Sequence, residues 1–222
     1  MSKRTSTLTD RQEKRRKRLE ENQKIVNRYQ ILKFANDLKT IPEELYKKQW
    51  DFEPISSSFS VEQKLLRCLR GDDAKELYEL GQENMESLYN TCSWKWNEKK
   101  EMAECRSRTA RFVIVRDKAS NQLAGYLELK FLLDTDDDSM VCYIYSIQIA
   151  KQYQGKGLGR VLMSFAENLA IFCHLEKCRL TVFKHNPRAL DFYLHKCGYV
   201  IDPISPSCYG ENISSRFSFL VC

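Results

Sequence analysis

The stretch YIYSIQIAKQYQGKGLGR, Tyr143 to Arg160, decides the fold. It opens with Tyr143, Tyr145, Ile147 and Ile149 at alternate positions, which predicts a half-buried strand. Gln152, Tyr153 and Gln154 lead into three glycines, Gly155, Gly157 and Gly159. From Val161 to Ala170 the apolar residues take helical spacing. Strand, glycine turn and helix together suit an anion, because glycine lets the backbone come close and the first helical N–H groups point outward. The glycines fit neither G-x-G-x-x-G nor the nucleotide P-loop. What remains is Q-x-x-G-x-G, Gln154 to Gly159, and on these six residues alone an ordinary turn is as good a reading.

Outward from that stretch, 222 residues with 42% hydrophobic and 11% aromatic content can bury one sizeable core. No apolar run reaches the length of a membrane span, and the basic, polar N-terminus lacks a signal-peptide core. Cytoplasmic and nuclear residence is therefore expected, with no membrane partner. Nine cysteines, an odd number, then read as free thiols. No C-x-x-C pair exists, and Cys173, His174 and Cys178 read as packing residues, so no metal is expected.

The formal charge of +6 sits in the tail, where residues 1–18 hold eight basic side chains against Asp10 and Glu13. Such a cluster suits nucleic acid or the ribosome, and equally a solvated helix start. Thr9 or Asp10 predicts a helix N-cap, and Ile25, Val26, Tyr29 and Leu32 predict a face lying on a core. Pro42 and Pro54 interrupt, which sets residues 1–54 as a helical extension and 55–222 as the main domain of an expected monomer.

In that domain Asp72 or Asp73 caps a helix to about Tyr89. A polar segment with Tyr89, Trp94 and Trp96 follows, with Tyr89 and Trp94 expected in a pocket wall and Trp96 in packing. Charged residues up to Arg111 read as helix, and Phe112–Val115 and Leu123–Leu133 as strands. The acidic turn Asp134-Thr135-Asp136-Asp137-Asp138-Ser139 feeds the strand Met140–Ile149. Arg179–Phe183 is a strand, Pro187 opens a helix ending near Gly198, and Tyr199–Ile201 and Arg216–Val221 close the sheet. The order predicts an α/β fold, a mixed and mostly antiparallel sheet flanked by helices.

The loop Gln154–Gly159 resembles the pyrophosphate loop of the GNAT superfamily of N-acetyltransferases. Asn186-Pro187-Arg188-Ala189-Leu190-Asp191-Phe192-Tyr193, then Gly198-Tyr199, is similar to that superfamily's second motif. The resemblance implies the GNAT fold and acetyl-coenzyme A as co-substrate. The run LTVFKHN, Leu180 to Asn186, with Leu88-Tyr89, Trp94-Lys95-Trp96 and Tyr143-x-Tyr145, resembles the N-terminal acetyltransferase D family. That family acetylates the α-amino group of histones 4 and 2A, which the resemblance makes the expected partners.

By the resemblance, Ile147, Gln148, Ile149, Gln154, Gly155, Lys156, Gly157, Leu158, Gly159, Arg160 and Asn186 bind the coenzyme. Tyr89, Trp94, Asp134, Asp136, Tyr143, Tyr145, Thr181 and Ser205 line the peptide site. Tyr145, Asp134, Asp136 and Tyr193 are the expected catalytic group, Tyr193 as the acid that protonates sulfur. An α-amine with a pKa of about 8 is partly neutral already, so the base can be modest. The acidic turn independently suits a cationic terminus such as Ser-Gly-Arg-Gly. Two departures stand out: Ser146 where the family carries a glutamate, and Phe217 where a tyrosine is expected. A lysine side-chain acetyltransferase, or a non-catalytic acyl-coenzyme A binder with a nucleic-acid-binding tail, shares most of these features.

Overall fold

The computed structural model describes residues 4–38, 42, 45, 55–65, 72–92, 95–107, 109–135, 137–202, 205 and 217–221. Among these, seven strands form one sheet: β1 Phe59–Leu65, β2 Arg111–Asp117, β3 Leu123–Leu133, β4 Met140–Ile149, β5 Lys177–Phe183, β6 Val200–Ile201 and β7 Phe217–Val221. Their order across the sheet is β1-β2-β3-β4-β5-β7-β6. Every pairing is antiparallel except that of β4 with β5. The longer helices are α1 Arg4–Asp37, α2 Asp72–Asn90, α3 Glu98–Cys105 and α4 Leu158–Phe172, with a short α5 Pro187–Asp191.

The parallel pairing follows from α4, the crossover that a parallel connection needs. Leu158, Leu162, Met163, Phe165, Ala166, Leu169 and Ala170 are all buried, one apolar face at helical spacing. Each large one contributes about 1.5–3 kcal/mol relative to exposure. The opposite face of the sheet lies under α2, which buries Ala74, Leu77, Tyr78, Leu80 and Gly81.

Helix α1 differs from expectation. It runs unbroken from Arg4, so Thr9 and Asp10 lie inside it and cap nothing. Ile25, Val26 and Tyr29 are exposed, and contact is made one to two turns later, by Ile31, Leu32 and the buried Ala35. The cause is Arg111, a buried arginine at the start of β2. Its guanidinium donates to Ala35 O at 3.1 Å and Asn36 O at 2.9 Å, carbonyls at the helix C-terminus that lack intrahelical partners. It also stacks on the Phe131 ring at 4.5 Å. A cation suits that end of the helix, so the end of α1 is fixed and the earlier turns project from the domain.

Sequence reasoning missed β1 and gave β2 and β5 slightly short; α3 ends at Cys105, before Arg111. Helix α5 continues as a π-type turn, Phe192–Lys196. Among the described residues no helix is long and apolar enough to cross a membrane, and no cluster of three His, Cys, Asp or Glu side chains could hold a metal ion.

Candidate active site

Two irregularities of β4 create the site. Opposite β3, Glu128 pairs with Ser146 and Leu129 with Ile144, so Tyr145 is an extra residue, a β-bulge. Opposite β5, pairing stops at Ile144–Leu180, while β5 goes on to pair with β7 as far as Phe183. Beyond Ile144 the two strands diverge, and the edge of β4 from Tyr145 to Ile149 has no β5 partner among the described residues.

A bulge shifts the side-chain alternation by one. Before it, Tyr143 faces α2 and α3 together with Lys130. After it, Ser146 and Gln148 take that face, across from Glu128 and Tyr126, whereas Ile147 and Ile149 pair with Leu127 and Gly125 on the core side. A polar chain ties the face together. Asn84 Nδ2 donates to Gln148 Oε1 at 3.0 Å, Gln148 Nε2 to Ser146 Oγ at 3.0 Å, and Ser146 Oγ to Tyr126 OH at 3.5 Å.

One cavity of about 190 Å³ lies on this face, between β4, β5, α2 and α3. Tyr89, Tyr143, Tyr145 and Thr181, expected at the peptide site, all line it. Tyr143 OH and Thr181 Oγ1 are 2.7 Å apart, and Tyr89 stands edge-on to Phe183 and Trp96, with centroids at 4.9 and 5.4 Å. Trp96, expected only to pack, lines the cavity and donates Nε1–H to Tyr78 OH at 3.2 Å.

The same cavity holds carboxyl groups that sequence reasoning passed over: Glu101, Glu104 and Glu128. Glu104 is bonded to Lys130, whose ammonium lies 4.6 Å from the Tyr145 ring centre. Burial raises the pKa of Glu101, against the pull of Lys100. Burial likewise pushes Glu128 up to about 8, with Lys130 opposing and Glu104 and Glu101 adding. The signal was present in β3 as one acidic residue amid Leu-Ala-Gly-Tyr-Leu-Glu-Leu.

The second cavity, about 940 Å³, opens along the free edge of β4 over the start of α4. Ile147, Gln148, Ile149, Gln154, Gly155, Gly157, Leu158, Gly159, Arg160 and Asn186 line it, all expected at the coenzyme. Gly155 and Gly157 have φ of +77° and +87°, which a side chain would strain. No atom lies within 4 Å of where a Gly155 Cβ would stand. Helix α4 starts without a side-chain cap, so its N-terminus suits an anion. Lys151, Arg160, Arg188 and Lys196 add positive charge to the walls. Gln154 Nε2 fastens the loop to Ile149 O at 2.9 Å, and Asn186 Oδ1 caps α5 by accepting from Ala189 N at 3.1 Å. These donors, cations and bare backbone fit a coenzyme A pyrophosphate. The two cavities share Ile147, Gln148, Ala189 and Tyr193, so an acyl group brought along one meets an acceptor held in the other. Tyr193 is buried, and burial raises its pKa, so its phenol holds its proton.

Three expected site residues sit differently. Asp134 lines neither cavity; its carboxylate is bonded to Arg179, a buried arginine of β5. The same guanidinium meets Asp137 and Asp202, each at 2.8 Å, and Lys177 meets Asp137 at 2.5 Å. The acidic turn thus answers an interior cation. Ser205 is buried beside Asp202, accepting no cavity position, and its N–H donates to Asp202 O at 2.8 Å. Lys156 reaches over the Tyr153 ring at 5.2 Å and lines neither cavity. Trp94 and Asp136 lie outside the described residues.

Similar solved structures include Ard1 from Thermoplasma volcanium, with 16% identity over 74% of this chain and 97% of that one, at a TM-score of 0.51. PaiA N-acetyltransferase from Thermoplasma acidophilum, in complex with coenzyme A, has 21% identity over 74% and 97% of the two chains, also at 0.51. Arabidopsis thaliana Naa50, in complex with the bisubstrate analogue CoA-Ac-MVNAL, has 18% identity over the same shares at 0.48. The family model described as the acetyltransferase (GNAT) family matches residues 74–199, more than half of the chain and both cavities' main walls. The chain therefore belongs to the GNAT family and is an acetyl-coenzyme A-dependent acetyltransferase.

Proposed function

We propose that the protein acetylates the free α-amine of protein N-termini of the Ser-Gly-Arg-Gly type, those of histones 4 and 2A. The observation that carries this reading is the convergence of Tyr89, Tyr143, Tyr145 and Thr181 on one cavity that joins the coenzyme cleft. These are the peptide-lining positions implied by the family resemblance. Glu101 and Glu104 bring negative charge to the same wall, which favours a cationic terminus. With Asp134 committed to Arg179 and Glu104 to Lys130, arginine recognition passes from Asp134 to Glu101.

Bound acetyl-coenzyme A supplies the thioester. Gly155, Gly157, Gly159 and Arg160, with the N-terminus of α4, hold its pyrophosphate, and the edge of β4 beyond Ile144, which pairs with no β5 residue among the described ones, offers backbone groups to its arm. Tyr193, on the wall common to both cavities, gives a proton to the departing sulfur. The aromatic walls exclude water from the acceptor.

The test is mass spectrometry of histone 4 and 2A N-terminal peptides incubated with pure protein and acetyl-coenzyme A. Acetyl on the terminal nitrogen is expected. Acetyl confined to lysine Nζ would replace this reading with its nearest competitor, a lysine side-chain acetyltransferase. We further propose that residues 1–18 bind nucleic acid or the ribosome, since their charge is concentrated ahead of the part of α1 that docks.

A further inference from the structure

We infer that Glu128, a residue of β3, is the catalytic group that takes the proton from the attacking amine. This rests on the N-α reading for the identity of that amine. The need is plain from β4, whose polar side chains lining the cavity are Tyr143, Tyr145, Ser146 and Gln148. An alcohol and an amide are not bases near neutral pH, and burial raises the pKa of both phenols.

Glu128 stands directly across the β3–β4 register from Ser146 and lines the same cavity. It is 2% exposed, and its Oε1 has no hydrogen-bond partner among the described residues. A buried carboxyl oxygen left without a donor is costly and calls for an explanation. An incoming amine is such a donor. The charged and titratable groups around it are Tyr126 and Lys130 of β3, Glu101, Glu104 and Cys105 of α3, and Tyr145 of β4. Lys130, the one cation among these, is held by Glu104. Desolvation brings the proton affinity of Glu128 to about 8. That matches an α-ammonium at about 8 and falls roughly two units short of a lysine ammonium, so the transfer selects for termini.

Ionised Glu128 takes a proton from the α-ammonium at Oε1 and releases it to solvent, leaving the neutral amine to attack. The N–C bond then forms, the thioester C–S bond breaks and sulfur takes a proton from Tyr193. The second nitrogen proton, lost as the amide forms, returns to Tyr193 through solvent and closes the cycle.

The test compares wild type, Glu128→Gln, Glu101→Gln and the double change Glu128→Gln with Ser146→Glu, all as full chains, on a Ser-Gly-Arg-Gly peptide. Glu128→Gln is expected to lower kcat about a hundredfold or more at pH 7 with KM little changed. The deficit should shrink toward pH 9.5, where the amine is neutral unaided. Glu101→Gln should act mainly on KM. Placing the carboxylate across the strand pair in the double variant should recover at least about tenfold of the lost rate, a rescue that a merely structural role does not predict. A Glu128→Gln enzyme within about threefold of wild-type kcat overturns the assignment. If wild type acetylates only lysine Nζ, the N-α reading falls, and the same kcat criterion on that amine still decides Glu128. Independently of any substrate, ¹³C-carboxyl NMR should show one glutamate resonance titrating near pH 8 and missing from Glu128→Gln. A Glu128 resonance titrating below about pH 5.5 overturns the selectivity for termini.

Discussion

Glu128→Gln should stabilise the folded protein increasingly as pH rises from 5 to 8, the reverse of what loss of a buried contact would do. The carboxyl has an ordinary value of 4.5 and is held at about 8 in the fold. Between those values the unfolded chain has released its proton and the folded protein keeps it. The folded state then binds more protons, so stability falls as pH rises through the window and levels off above it. Each unit is worth about 1.4 kcal/mol, which gives a ceiling of roughly 5 kcal/mol across the window and about 3 kcal/mol at pH 7. Glutamine carries no titrating proton, so the difference between variant and wild type must grow with pH. Any offset from the new amide is constant and drops out of the slope. Urea unfolding of both proteins at pH 5, 6, 7 and 8, with m-values compared, measures it directly. A difference flat to within about 0.5 kcal/mol over that range would mean that the folded state solvates or neutralises the Glu128 carboxylate, and the argument would fail.

Gly157→Glu should lower acetyl-coenzyme A affinity at least about a hundredfold by calorimetry, because it strains a left-handed residue and puts an anion at the uncapped start of α4; undiminished affinity in a folded variant would remove the loop from that role. Arg179→Met should cost about 3–5 kcal/mol in urea unfolding, since it leaves Asp134 and the buried Asp202 without their cation. Asp137, whose ionised form is favoured by Lys177, Ser139 and Arg179 over the opposing effect of burial, contributes stability that is present above its ordinary value of 3.8 and lost as pH falls below it. An Arg179→Met protein with wild-type stability at pH 7 would show that solvent, and not the arginine, balances these carboxylates. Deletion of residues 1–18 should leave kcat/KM on a short peptide within about twofold while weakening nucleic-acid or ribosome binding in a salt-dependent way; a truncated enzyme that binds coenzyme but no longer acetylates the peptide would place the tail at the active site.

The coenzyme half of the site was legible because it is local. Strand, glycine loop and helix are contiguous from Tyr143 to Ala170, and backbone conformation at Gly155 and Gly157 is written directly into the sequence. The acceptor half is assembled from β3, β4, β5, α2 and α3, and its reading failed where side chains choose partners across long separations. Asp134 was expected at the peptide, yet Arg179, 45 positions later, takes its carboxylate. The face of α1 was misjudged for the same reason: nothing near Ile25 announces that Arg111 will receive the helix about three turns further on. Composition tells which residues prefer burial, but the arginine that draws a carboxylate or a helix end inward is identified only in three dimensions.

The bulge at Tyr145 connects the misreading of β4 to its chemistry. In an unbroken strand Tyr143, Tyr145, Ile147 and Ile149 would share one face, and Ser146 and Gln148 would turn to the other. One inserted residue turns Ile147 and Ile149 to the core and brings Ser146 and Gln148 round beside Tyr143. It also sets Ser146, not Tyr145, against Glu128. The carboxyl can therefore sit on either strand of that pair and still face the same cavity. A strand position that loses its glutamate to serine keeps its chemistry if the residue across the ladder carries the acid. The pairing register, and not the identity of the residue after Tyr145, then decides whether the site has a base.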